Sequence, residues 1–212
     1  MKPQVDGYGP DRSHVLAERL SAERLATYSA AGGDRAAALA LYDWNIEVSA
    51  ALWADLQRLE VVMRNAMHDQ LTSHYGRYWF DRRGLLDGRG RDDVTVARRR
   101  LKKPETDGRI VAELSFGFWR YLLAKRYVHT VWTPAVRHAF PYLQPQRRKV
   151  VEHQVVRLHE LRNRIAHCEP VLARDITLDG RDIATVAGYI HPQLSDWITE
   201  KSQVDAVLAR RP

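Results

Sequence analysis

The chain has 212 residues, enough for one full-sized hydrophobic core, so a single domain is the default. Apolar residues make up 45% and charged residues 28%, which excludes a disordered polyelectrolyte. A formal charge of +7, from 33 Lys+Arg against 26 Asp+Glu, favours polyanionic partners, nucleic acid among them.

The lone cysteine, Cys168, excludes an internal disulfide and any multi-cysteine zinc site. The opening "MKPQVDGYGPDRSH" lacks the apolar core of a secretory signal, and no run of about 18 apolar residues occurs. The expectation is a cytoplasmic protein that touches no membrane.

Pro3, Gly7, Gly9 and Pro10 predict a flexible arm over residues 1–12, leaving 13–212 as one helical domain. Ser21 can cap "AERLATYSA", which then stops at Gly32-Gly33. From Asp34 to Tyr75 apolar residues recur mostly at three- and four-residue intervals: Leu39, Tyr42, Ile46, Leu52, Leu56, Leu59, Met63, Met67 and Leu71. No proline interrupts them, so one long helix is expected at the centre of a bundle. A polar connection, "DRRGLLDGRGRDD", leads to a short basic helix, "VTVARRRLKK". One or two core helices follow through "GRIVAELSFGFWRYLLAKR" and "VHTVWTPAVRHAF", anchored by Phe116, Trp119 and Trp132, with a kink at Pro134.

A helix then covers "RRKVVEHQVVRLHELRNRIAHCE", closed by Pro170. Asp179-Gly180 predicts a tight turn within "VLARDITLDGRD", and two helices, about 182–199 and 203–210, end the chain. No series of alternating strands appears. The fold class is all-α, a helical bundle with one long central helix and additional N- and C-terminal helices.

The stretch "HELRNRIAHCEP" carries the chemistry. On a regular helix Leu158, Leu161 and Ile165 form the buried stripe, and Asn163 and His167, four apart, stack on another face. Arg162 lies about 140° from His167 at about 100° per residue, so one straight helix splays the two apart. His167 falls in the last turn, where the helix dipole favours an imidazolium that can act as acid or base. A guanidinium such as Arg162 stabilises charge developing on a phosphate. Together the two suffice for attack of an RNA 2′-hydroxyl on its adjacent phosphate, a reaction that needs no metal and that DNA cannot undergo. Taken alone, a polar helix end whose cations complement the dipole would look the same.

These residues resemble the R-x4-6-H signature of the HEPN superfamily of helical ribonucleases. "LYDWNIEVSAALWADLQRLEVVMRNAM", "IVAELSFGFWRYLL" and "LRNRIAHCEPV" are similar, in order and spacing, to segments of bacterial abortive-infection (Abi-like) proteins, from about Ser21 to Trp197. The resemblance implies a metal-independent endoribonuclease without a cofactor, usually a homodimer whose motif helices meet to form a composite site. It assigns Arg162 and His167 as the catalytic pair with Asn163 orienting His167, and a 2′,3′-cyclic phosphate and a 5′-hydroxyl as products. It implies a role in phage defence or as a toxin, restrained by an RNA or protein antitoxin. Cys168 stands where many relatives carry a second histidine. The contrasting class is an RNA- or protein-binding module of the same fold that cuts nothing.

Other features are weaker. Arg64-Asn65 with His68 is one residue short of the signature; Glu60 and Arg64, four apart in acid-first order, suit an ion pair. Glu60, Arg64 and Asn65 are also candidates to line the cleft. Arg164 and the run Arg98, Arg99, Arg100, Lys102 and Lys103 are candidate RNA-backbone contacts. His153, His159 and His167, six and eight apart, lack the spacing of a metal site, so no metal is expected. Trp44, Trp53 and Trp119 fall on apolar stripes and read as core.

Overall fold

The computed structural model describes residues 9–31 and 33–212. The chain is all-α: α1 (Pro10–Leu20), α2 (Ala22–Ser29), α3 (Arg35–Tyr75), α4 (Gly88–Arg100), α5 (Asp107–Glu113), α6 (Phe116–Leu122), α7 (Arg148–Ala166), α8 (Ile176–Ile190), α9 (Pro192–Lys201) and α10 (Val204–Leu208). No strand occurs among the described residues, and none of their helices is long and apolar enough to cross a membrane. The expected N-terminal arm falls largely outside the described residues, and it does not reach residue 12, because α1 begins at Pro10.

The long helix is the axis of the bundle. Asp34 caps α3 by accepting the Ala37 N–H at 2.9 Å, and Gly76, at φ 90°, lets the chain leave at Tyr75. Forty-one residues at about 1.5 Å each give a rod of roughly 60 Å. Val48, Leu52, Leu59, Met63, Met67 and Leu71 are all fully buried along it, against α2, α6, α7, α8, α9 and α10. Ile46 leaves the expected stripe and is 49% exposed.

The middle of the chain is more broken than its periodicity suggests. Leu114 turns to an extended conformation between α5 and α6, and Ser115 caps α6 through the Phe118 N–H at 3.3 Å. Beyond α6 the chain runs through short 3-10 turns and a π turn at Val128–Trp132. Aromatic packing replaces helix length here: Trp79 meets Trp119 at 6.0 Å and Phe80 at 5.4 Å, and donates its indole N–H to His68 Nδ1 at 3.0 Å.

Two C-terminal expectations are corrected. Asp179-Gly180 makes no turn but lies inside α8, because the Asp179 carboxylate, fully buried, is taken by Arg157 and Arg174. The segment expected as one helix over 182–199 breaks at His191, whose Nδ1 accepts the Gln193 N–H at 3.2 Å while Pro192 opens α9.

Candidate functional site

The C-terminal half of α7 packs against α3 and α6. On α7, His159, Arg162 and Asn163 are three and four residues apart and share a face. On α3, Trp53, Glu60 and Arg64 follow at seven and four residues and form a second stripe. The start of α6 closes the corner: Phe116 stacks on the His159 ring, centroids 6.0 Å apart and planes within 9°. Gly117 permits that approach, since a Cβ there would stand 3.0 Å from His159 Nε2.

The charges gather in this corner. Arg162 holds its guanidinium over Trp53, with Cζ 5.3 Å from the ring centroid. Burial pushes the Glu60 carboxyl up, against the opposing pull of Arg162, Arg64 and the Phe116 N–H. Burial, then Arg120, Arg162 and Arg89, push the His159 imidazole below its ordinary value. The ring is therefore neutral near pH 7, and its Nε2 can accept from the Asn163 amide at 3.4 Å. Buried Nε atoms of Arg64, Arg120 and Arg162 have no hydrogen-bond partner. Two guanidiniums, Arg162 and Arg64, face the Glu60 carboxylate and a third, Arg120, faces His159, which leaves positive charge and unspent donors in the corner and suits a phosphate.

The structure thus gathers Arg162, Glu60, Arg64 and Asn163, and corrects their pairings. Glu60 faces two guanidiniums and a backbone N–H rather than Arg64 alone. Asn163 turns its side chain to His159, not to His167. The reason is the helix end: α7 stops at Ala166, and His167 (φ −95°, ψ 12°) already lies beyond it, so spacing within a helix no longer applies. His167 is exposed on the turn, joined to Asn163 through its backbone N–H at 3.0 Å. Cys168 follows at φ 54°. Pro170 lies four residues past the end of the helix rather than closing it.

That turn is pinned from three sides. Arg24 of α2 donates to the Cys168 carbonyl, and Asn45 Oδ1 of α3 accepts the Val171 N–H at 2.9 Å. Arg164 donates twice to the Pro170 carbonyl, at 3.2 and 2.7 Å, and pairs with Glu169 at 3.2 Å. Arg164 is therefore a brace for the turn before it is anything else.

Arg98 is likewise engaged, clamped by both Asp81 oxygens at 2.8 and 2.6 Å and by Glu105 at 3.2 Å. Arg99, Arg100, Lys102 and Lys103 are exposed at and beyond the end of α4, and Asn65 is exposed on α3. Trp44 and Trp119 are core, whereas Trp53 is half-buried and belongs to the site.

Sequence reasoning missed His159 and Arg120. A signal existed for His159, which stands three residues before Arg162 and four before Asn163 on the same helical face. Arg120 carried none, since it is brought in by α6. Among the described residues no group of three His, Cys, Asp or Glu is placed to hold a metal ion. No family model matches the chain, and no curated protein or solved structure does either.

Proposed function

We propose that this chain is a metal-independent endoribonuclease of the HEPN, Abi-like type. The observation that carries the proposal is the arginine corner. Arg162, the arginine of the R-x4-H motif, is fixed over Trp53 and keeps its buried Nε without a partner, beside Arg64 and Arg120 in the same condition. His167, the motif histidine, stands exposed on the braced turn immediately after the helix.

In this reading His167 takes the proton from the RNA 2′-hydroxyl, and the new O2′–P bond forms as the P–O5′ bond breaks. The leaving 5′-oxygen takes up a proton, and the products are a 2′,3′-cyclic phosphate and a 5′-hydroxyl. Arg162 neutralises the charge that builds on the phosphoryl oxygens. Because Arg162 faces α3 while His167 lies on the turn, we assign the working site to a homodimer in which two motifs face each other. The role we propose for this activity, on the resemblance, is cytoplasmic phage defence with an antitoxin as restraint.

The test is cleavage of RNA in excess EDTA. Wild-type protein is expected to release 2′,3′-cyclic phosphate ends and to leave DNA intact. Arg162→Ala and His167→Ala are each expected to slow cleavage by about 10²-fold or more. Dependence on a divalent ion, or full activity in both variants, would overturn the mechanism. RNA binding without product in the wild type would move the chain to the binding-module class.

A further inference from the structure

Next to the arginine corner lies a cavity of about 500 Å³ between α2, the first half of α3 and the end of α7. Tyr28, Tyr42, Ile46, Ser49, Trp53 and Ile165 are among the residues that line it. This volume is in the range of small-molecule sites, about 300–1,000 Å³. We infer that the cavity receives a nucleobase of the RNA, seated beside the phosphate that Arg162 holds; the inference rests on the ribonuclease reading of that arginine.

Four observations point to a base. The walls are partly aromatic: Tyr42 meets the buried Tyr28 edge to face at 5.2 Å, and the half-buried Trp53 adds an indole. Stacking on such rings is the usual means of holding an unpaired base. Trp53 also belongs to both places at once, lining the cavity while carrying the Arg162 guanidinium at 5.3 Å. One aromatic ring therefore joins the phosphate-binding group to the cavity.

The polar groups are those a base needs. Ser49 Oγ is buried on the cavity wall with no hydrogen-bond partner, and the Glu169 carboxylate, paired with Arg164 at 3.2 Å, lines the cavity as well. A carboxylate accepts several hydrogen bonds, so beside its pairing with Arg164 this group can still accept from an exocyclic amine or ring N–H. Finally, the turn that forms one wall is braced by Arg24, Asn45 and Arg164, so the cavity is pre-formed.

The test uses the full chain and Ala50→Phe, which fills the cavity from an exposed lining position, with Tyr42→Leu as a second variant. Calorimetric titration with the four nucleoside monophosphates and with ribose 5-phosphate measures binding. Cleavage-site mapping on RNA containing all four bases measures selectivity.

At least one nucleotide is expected to bind at least tenfold more tightly than ribose 5-phosphate. Ala50→Phe should lose that advantage while keeping the wild-type circular dichroism. In cleavage it should raise KM and flatten the base preference at the cut, with kcat nearly unchanged. Nucleotide binding that depends on the cavity in a protein that cuts no RNA supports the base site and sinks the ribonuclease reading. Cleavage with no base preference, and equal binding of nucleotide and ribose 5-phosphate, sinks the base site alone. If Ala50→Phe changes the molecular mass by light scattering and leaves nucleotide binding intact, the cavity is a protein contact and the inference is wrong.

Discussion

Asp179 is fully buried, and its two oxygens accept from Arg157 at 2.9 Å and from Arg174 at 2.7 and 2.8 Å. The arginines come from α7 and from the turn before α8, so this single carboxylate ties the motif helix to its neighbour. Asp179→Ala would leave two guanidiniums facing a cavity. Breaking a buried pair costs about 3–5 kcal/mol, and the loss here should be near 3 because the arginines keep 25% and 18% exposure. Urea denaturation of the variant against Glu200→Ala, an exposed control on α9 expected within about 0.5 kcal/mol of wild type, checks this. From the sequence the same residue looks like half of an Asp-Gly turn. Its true role depends on Arg157, 22 positions earlier, and no local pattern reports such a partner. The same limit explains Asn163: its distance along the chain to His167 was legible, but the end of α7 at Ala166 was not. Arg24 and Asn45, more than a hundred positions away, hold the turn that follows it.

At the level of elements, legibility follows length and capping. The limits of α3 could be read because Asp34 and Gly76 are strong end signals around an unbroken apolar period. Ser21 likewise caps α2, accepting the Arg24 N–H at 3.3 Å. From Asp107 to Leu143 the apolar residues point to several neighbours at once, and helical period carries little information. There the capping serine, Ser115, marks a break that hydrophobicity alone conceals. Helix α8 was hidden by Gly180, which breaks the expected helical composition yet sits inside the helix. A Cβ at Gly180 would meet nothing nearer than Val204 Cγ1, at 3.9 Å, an ordinary contact. Gly180→Ala should therefore stabilise the chain, by about 0.5–1 kcal/mol, through helix propensity. A higher thermal midpoint in the variant is the expected result, and a lower one would show that α8 needs the glycine for packing.

For the whole molecule, the all-α class and the central helix followed from pattern, while the site's electrostatics arose only where α3, α6 and α7 met. Two half-buried histidines make that assembly sensitive to pH. Burial lowers His68 below its ordinary value of 6.5, against the raising pull of Asp69 and Asp107. Its Nδ1 accepts the Trp79 N–H, so a proton there would oppose a donor already in place. His159 is lowered by burial and by Arg120, Arg162 and Arg89, with only Glu160 pulling the other way. In the unfolded chain both rings take up protons as pH falls through about 6.5, whereas in the native state they resist until lower pH. The unfolded state then binds more protons, and stability falls with pH across that window. Asp43, Asp55, Glu60 and Asp93, raised mainly by burial, act in the opposite sense, but only nearer the carboxylate range. Urea midpoints should therefore drop between about pH 7.5 and about pH 5.5, the interval in which histidine titrates. A double variant, His68→Gln with His159→Gln, should be less stable at the higher pH, where His68 serves Trp79, and should lose much less stability on acidification. An equal or rising wild-type midpoint at the lower pH would show that the two rings are not held neutral by the fold.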